Sequence, residues 1–281
     1  MSTPPHLSLP VGATRIDIPV TRGTRAALEF APRNPIGTAV CIPGFTGSKE
    51  DFIALLEPLG RRGWRVLAYD QLGQWHSPGP DDPDAYALAA LGADARDVAA
   101  WAGGDVHLVG HSLGGLVARS AVLDAGSTDL AALTLLCSGP GALPDDRRGG
   151  IPALVGVLPD MPMDEIWRVK EAMERAAGAQ LPPPAVHDFL RERFCAASPW
   201  GLRVMGEILL TEPDRTHALA TADLTVHVVY GEHDDAWPLD EQDRMAQALG
   251  ATPHVIPQTG HSPAVDDPEA TAAILDALWR G

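Results

Sequence analysis

A chain of 281 residues, 45% hydrophobic and 21% charged, carries enough apolar material for a large buried core. With 21 basic against 37 acidic residues its net charge is -16, which excludes charge-driven binding to nucleic acid or to an anionic membrane. The first ten residues lack the basic and apolar segments of a secretory signal and no apolar run is long enough to cross a bilayer, so a cytoplasmic protein is expected.

In chain order, residues 1–13 are proline-rich and read as extended. Strand-like runs at 14–20 and 25–31 flank a four-residue turn, predicting an antiparallel hairpin at a sheet edge. A short apolar strand at 38–42 ends in Pro43-Gly44-Phe45-Thr46-Gly47-Ser48. Helical spacing follows through Phe52, Leu55, Leu56 and Leu59, with Ser48 as its expected cap and Gly60 or Gly63 as its stop. Next come a strand at 64–69, a loop rich in proline and glycine at 70–83, a helix at about 88–101 and an apolar strand at 106–109. Cys41 and Cys137 fall in apolar runs and Cys195 at a helix end. Three is an odd number without metal spacing, so all three are expected to be small buried residues.

The strand at 106–109 breaks into Gly110-His111-Ser112-Leu113-Gly114-Gly115 and resumes as the helical Leu116, Val117 and Ala118. A serine on so sharp a bend needs almost side-chain-free residues two places before and after it, and Gly110 and Gly114 stand there. Its hydroxyl is left at a helix N-terminus, where partial positive charge favours a developing oxyanion. Gly-x-Ser-x-Gly alone is often only a glycine-rich turn; strand before and helix after argue for more. This stretch resembles the nucleophile elbow of the α/β-hydrolase superfamily, in its serine-nucleophile branch with a helical cap.

Beyond the elbow an apolar run at 131–137 ends in Ser138-Gly139-Pro140-Gly141, and then the alternation of strand and helix stops. From about 143 to 222 there are helical patterns separated by prolines. Ile166, Val169, Met173 and Ala176 share one face, Val186, Phe189, Leu190 and Phe194 a second, and Leu202, Met205, Ile208 and Leu209 a third. Strand, helix, strand and helix return at 225–230, 238–249, 252–256 and up to Trp279. The expected fold is α/β: a mostly parallel eight-stranded sheet with helices on both faces, its core formed by residues 1–140 and 223–281 and a helical cap inserted at 141–222.

A serine hydroxyl needs a base within reach and a group that holds the base in one tautomer. The resemblance implies His261 as that base, since it follows the last strand-like run in a turn and precedes Asp266-Asp267-Pro268. His111, beside the nucleophile, is expected to pack or hydrogen-bond behind it. Gly231-Glu232-His233-Asp234-Asp235-Ala236-Trp237-Pro238 matches G-x-x-D-x-x-x-P, which in the family implies Asp234 as the acid, with Asp235 its rival. The resemblance further implies an oxyanion hole from the backbone N–H groups of Leu113 and Phe45, although Pro43-Gly44 stands where relatives usually have His-Gly.

Where relatives often read D-x-R-G-x-G-x-S, this chain has Asp70-Gln71-Leu72-Gly73-Gln74-Trp75-His76-Ser77, which makes Trp75 and His76 candidates for the pocket. Trp167, Phe189, Trp200, Met205 and Trp237 are further candidates, although packing is the commoner role for each singly. Neither a phosphate cradle nor metal-ligand spacing is present, so no cofactor and no metal are expected. The resulting expectation is a Ser112-His261-Asp234 triad acting through an acyl-enzyme on a small-molecule ester, lactone or thioester of apolar character. A carbon–carbon bond hydrolase or lyase-like member using the same residues is the alternative, and a non-catalytic ligand-binding relative a third. Serine at the elbow argues against the dehalogenase and epoxide hydrolase branches, which use aspartate. The oligomeric state is left open.

Overall fold

The computed structural model describes residues 2–124 and 130–281. Strands β1 (Ala13–Val20) and β2 (Gly23–Phe30) form an antiparallel hairpin whose register runs from Ala13 opposite Phe30 to Val20 opposite Gly23. There follow β3 (Thr38–Ile42), α1 (Ile53–Arg61), β4 (Arg65–Tyr69), α2 (Leu88–Ala102), β5 (Val106–His111), α3 (Leu113–Leu123) and β6 (Leu130–Leu136). An inserted run of helices comprises α4 (Ile151–Val157), α5 (Met163–Ala176), α6 (Pro184–Ala196), α7 (Pro199–Thr211) and α8 (Thr216–Ala220). The chain closes with β7 (Thr225–Gly231), α9 (Leu239–Ala248), β8 (Pro253–Ile256), α10 (Pro263–Asp266) and α11 (Pro268–Trp279).

All eight strands join one sheet in the order β1-β2-β4-β3-β5-β6-β7-β8. The hairpin is antiparallel to its neighbours and every pairing from β4 to β8 is parallel. Strands β3 and β5 are buried at every position, so their sequences are mostly apolar without regular alternation, and the polar residues they hold, Thr38, His107 and His111, are buried too, as expected of strands covered on both faces. One apolar cluster, with Leu108, Leu116, Val117 and Leu133, fills the side of α2 and α3; a second, with Leu55, Leu59, Leu275 and Trp279, fills the side of α1 and α11. The α1 entry differs in detail from expectation: Ser48 opens a 3₁₀ turn (Lys49–Phe52), the α-helix starts only at Ile53, and it runs through Gly60 to Arg61. Cys195 is half-buried, unlike Cys41 and Cys137, because it lies near the end of α6 at the rim of the cap.

The insertion is not one separate layer. A cap cluster gathers Leu158, Ile166, Trp167, Phe189, Phe194 and Leu202, whereas Met205, Ile208 and Leu209 of α7 and Leu219 of α8 belong to the main core. The apolar stripe of α7 thus serves both layers. Among the described residues no helix is long and apolar enough to cross a membrane.

The cap is tied to the core by charge. Arg193 of α6, 1% exposed, donates through Nη1 to Asp51 Oδ1 at 2.6 Å and to Ser48 Oγ at 3.3 Å, and through Nη2 to the Ser2 carbonyl at 2.9 Å. Burial pushes the Asp51 carboxyl upward and the Arg193 guanidinium opposes it. Removing one partner leaves an unpaired buried charge. Arg193→Ala is therefore expected to lower unfolding free energy by about 3–5 kcal/mol, read as a fall in the urea midpoint, with Arg193→Lys intermediate because it keeps the charge but not the fork.

Candidate active site

The chain turns from β5 into α3 at Ser112, whose backbone is left-handed, φ 56° and ψ -123°. A Cβ on Gly110 would collide with the Gly114 carbonyl, one on Gly114 with the Ile42 carbonyl, and one on Gly115 with the Ser138 side chain. The turn is thus wedged between β3, β5 and the end of β6, and side chains are excluded from it. Ser112 stands at the carboxyl ends of the parallel strands, where open α/β sheets bind ligands.

The turns after β7 and β8 meet beside it. His261 Nδ1 donates to Asp234 Oδ1 at 2.7 Å, which fixes the proton on Nδ1 and leaves Nε2 as the basic nitrogen. Asp234 is buried, and its carboxylate also accepts from Ala236 N at 3.0 Å and from Gln242 Nε2 at 2.9 Å. Burial by itself raises this carboxyl, but the hydrogen bonds from His261, Ala236 and Gln242 outweigh it and hold the group below its ordinary range. Asp235 is exposed and contributes its backbone carbonyl to Arg147 at 3.2 Å, so it is Asp234 that meets the imidazole.

Among the described residues the backbone N–H groups of Phe45 and Leu113 have no acceptor. Gly44 lies so near that a Cβ on it would come 3.0 Å from Ser112 Cβ. In place of the histidine that usually precedes this glycine, two glutamines hold the loop: Gln71 Nε2 donates to the Pro43 carbonyl and Gln74 Nε2 to the Gly44 carbonyl, both at 2.9 Å. His111 is second in line. Its Nε2–H donates to the His261 carbonyl at 2.6 Å, and burial, reinforced by the His261 ring, pushes its pKa down to about 3. A cavity of about 950 Å³ opens over these groups, with Gly44, Phe45, His111, Ser112 and His261 on its floor.

One donor cluster among the described residues has metal-ligand composition: atoms of Cys137, Asp234 and His261 lie within 4.8 Å of one another. Asp234 and His261 are already bonded to each other. Burial, followed by the Asp234 charge, pushes the Cys137 thiol well up, so the sulfur keeps its proton and points it at the Gly260 carbonyl at 3.9 Å.

A family model described as the alpha/beta hydrolase family matches residues 39–274, the span that carries the elbow, Asp234 and His261. The chain belongs to the alpha/beta hydrolase family. It is similar to a 2-succinyl-6-hydroxy-2,4-cyclohexadiene-1-carboxylate synthase of Enterobacter sp. (strain 638), 38% identical over 80 residues that make up 28% of this chain and 29% of that protein, so the chain matches less than a third of that relative's length. A thermophilic esterase from Thermogutta terrifontis aligns with a TM-score of 0.72 at 22% identity, over 95% of this chain and 98% of that one. An N-acyl homoserine lactonase aligns with a TM-score of 0.76 at 22% identity, over 95% and 96%. At such identities both likenesses speak for the fold alone.

In this α/β hydrolase the aromatic pocket candidates pack instead of lining the cavity. Trp167 lies against Phe194 and His187, and Met205 is in the main core. Trp200 rests on that core with Arg203 over its ring at 5.7 Å. Trp237, 0% exposed, donates to the Gly141 carbonyl at 3.2 Å from behind His261. Trp75, at φ 36°, stacks on His76 at 4.1 Å and meets Phe189 of the cap edge-on at 5.7 Å. His76 accepts at Nδ1 from Lys49 Nζ at 3.0 Å, a buried lysine that also bonds Asp70 at 2.7 Å. Burial first, then that lysine, lowers the His76 pKa and keeps the ring neutral. Trp167, Phe189, Met205 and Trp237 are buried because large apolar side chains gain most by leaving water, whereas half-buried Trp75 and Trp200 and exposed His76 are held by neighbours outside the cavity.

Residues that sequence reasoning missed are Gln71, Gln74, Gln242 and the aliphatic lining of α4. Only Gln242 carried a signal, as a polar residue within the buried stripe of Met245 and Ala246.

His111 and His107 are buried with pKa values pushed down to about 3 and about 4 from 6.5, burial being the main cause in each. The unfolded chain therefore binds protons below pH 6.5 that the folded chain refuses, and stability falls as pH drops from there toward those folded values. Between pH 7 and pH 5, urea unfolding is expected to lose roughly 2 kcal/mol for each such histidine. His111→Gln should remove the share of that dependence due to His111 and leave that of His107.

Proposed function

We propose that this chain is a serine hydrolase of carboxylic esters, lactones or thioesters with apolar acyl groups, acting through a Ser112-His261-Asp234 triad. The observation that carries the reading is the buried Asp234–His261 hydrogen bond beside a serine held left-handed at a strand-to-helix turn. Ser112 Oγ attacks the substrate carbonyl carbon while His261 Nε2 takes the hydroxyl proton, and the resulting imidazolium is stabilised by Asp234. The tetrahedral oxyanion receives the N–H groups of Phe45 and Leu113, which have no acceptor of their own among the described residues. Collapse breaks the bond to the leaving oxygen or sulfur, which takes the proton from His261. Water, deprotonated by the same nitrogen, then attacks the acyl carbon, and His261 passes that proton to Ser112 Oγ as the bond to the serine breaks and the acid leaves.

The second reading is lyase-like or carbon–carbon bond chemistry with the same residues as acid and base, favoured by the synthase relative. The product in that relative's name carries two carboxylates. Here the cations lining the cavity among the described residues are Arg147, bonded to the Asp235 carbonyl, and Lys170, paired with Glu174 at 2.5 Å. Three carboxylates of the same lining, Glu174, Asp235 and Asp266, outnumber these two cations and oppose a dicarboxylate, which supports the ester reading.

Ser112→Ala is expected to cost on the order of 10⁴-fold or more in kcat on a chromogenic ester while far-UV circular dichroism is unchanged. Retained turnover in the folded variant would move the nucleophile elsewhere. Asp234→Asn should lose activity heavily, since it offers His261 the wrong tautomer, and Asp235→Asn only mildly; comparison of their kcat/KM values with wild type checks the assignment. The reverse ranking would transfer the role to Asp235.

A further inference from the structure

Two apolar stripes of the cap are only partly covered by protein: Ile166 is buried in the cap cluster, but the residues that follow it on its face are not. On α5, Ile166, Val169 and Met173 recur three or four residues apart and all line the cavity above Ser112; on α4, Ile151, Leu154 and Val157 do the same. Such spacing normally marks a face packed on a core. Here no residue of α4 is fully buried, and Val169 and Met173 are 51% and 68% exposed. Both stripes face the same space, and that space ends at the serine. At about 950 Å³ it stands at the upper end of small-molecule sites and far exceeds what an acetyl group fills. Its charged lining residues are Arg147 and Lys170 against Glu174, Asp235 and Asp266, so the walls offer long apolar contact and no excess of positive charge among the described residues.

We propose that the two stripes are the walls of an acyl channel: an unbranched fatty acyl chain runs from the carbonyl at Ser112 between α4 and α5 and ends against Val169 and Met173 at the mouth. This rests on the serine-hydrolase reading and names its substrate class. Covering the stripes supplies the apolar contact that the protein itself leaves out. Each methylene that enters the channel adds about fourfold to kcat/KM, until the chain reaches the mouth. Acyl groups bearing a carboxylate are disfavoured, since they would leave water for a lining in which three carboxylates outnumber two cations.

The test measures kcat/KM for p-nitrophenyl esters from acetyl to dodecanoyl with wild type, Val169→Asn, Met173→Gln and, as a control, Val255→Thr, an exposed β8 position away from the cavity. Wild type is expected to climb with chain length. The ratio of decanoyl to acetyl kcat/KM should fall about fivefold or more in Val169→Asn and Met173→Gln, because each places an amide along the chain, and should stay at the wild-type value in Val255→Thr. A wild-type preference for acetyl, or an unchanged ratio in folded variants, would overturn the channel. So would a change in molecular mass by light scattering in the two cap variants with the ratio unchanged, which would give the stripes to a second copy of the chain. Labelling of Ser112 by a fluorophosphonate, mapped by peptide mass, separates the two layers of the argument. Absence of labelling removes the hydrolase reading and the channel with it, whereas labelling with a flat chain-length series removes the channel alone.

Discussion

A serine with a positive φ costs of order 1–3 kcal/mol, and the arrangement around Ser112 exists to make any relaxed alternative impossible. The space that a side chain would need at Gly110, Gly114 and Gly115 is occupied by the backbone of the same turn, by the end of β3 and by Ser138 after β6. Those contacts bring three strand ends into register, Ile42 beside Gly110 and His111 beside Leu136, and so set where the loops that follow them emerge. The site is therefore a consequence of sheet packing. Asp234 and His261 arrive at the right height because β7 and β8 continue the same parallel register, with Gly231 opposite Ile256.

Around this centre the polar groups are chosen to hold carbonyls and carboxylates still without adding free charge. Gln71, Gln74 and Gln242 each bring a long neutral amide to a fixed acceptor, and His111, kept neutral by burial, does the same for the backbone of His261. A neutral donor can be buried for the desolvation of a dipole, whereas an arginine or lysine in the same place would compete with His261 for Asp234. Full charges are kept farther off, in the Arg193–Asp51 and Lys49–Asp70 pairs that fasten the cap and the loop after β4.

Much of this was legible in the chain because its causes are local. The elbow needs glycines at fixed offsets and the strands need apolar stretches, so the turn at Ser112 and the eight strands could be read directly, while the resemblance pointed to Asp234 with Asp235 as its rival. The cavity wall could not. A stripe such as Ile166, Val169 and Met173 has the same period whether a neighbouring helix or a ligand covers it, and only the exposure of the last two separates the cases. Ring size misled in the other direction, since Trp167, Phe189 and Trp237 stand in or near the cap sequence yet are buried where packing is densest. Gln71 and Gln74 were silent because their partners, the carbonyls of Pro43 and Gly44, lie far away in the chain.

The division of α7 between two layers bears on how this scaffold can diversify. Leu202 faces the cap cluster while Met205, Ile208 and Leu209 complete the main core, so the inserted segment is not a detachable module bounded by its ends in sequence. Exchange of α4 to α6 between relatives would alter the walls over the serine and keep the hydrophobic seal beneath them. Exchange of the entire insertion would open the core itself. Recombination within this family should then leave seams near the start of α4 and before α7, so that α7 and α8 descend with the sheet and the first three cap helices drift with the substrate.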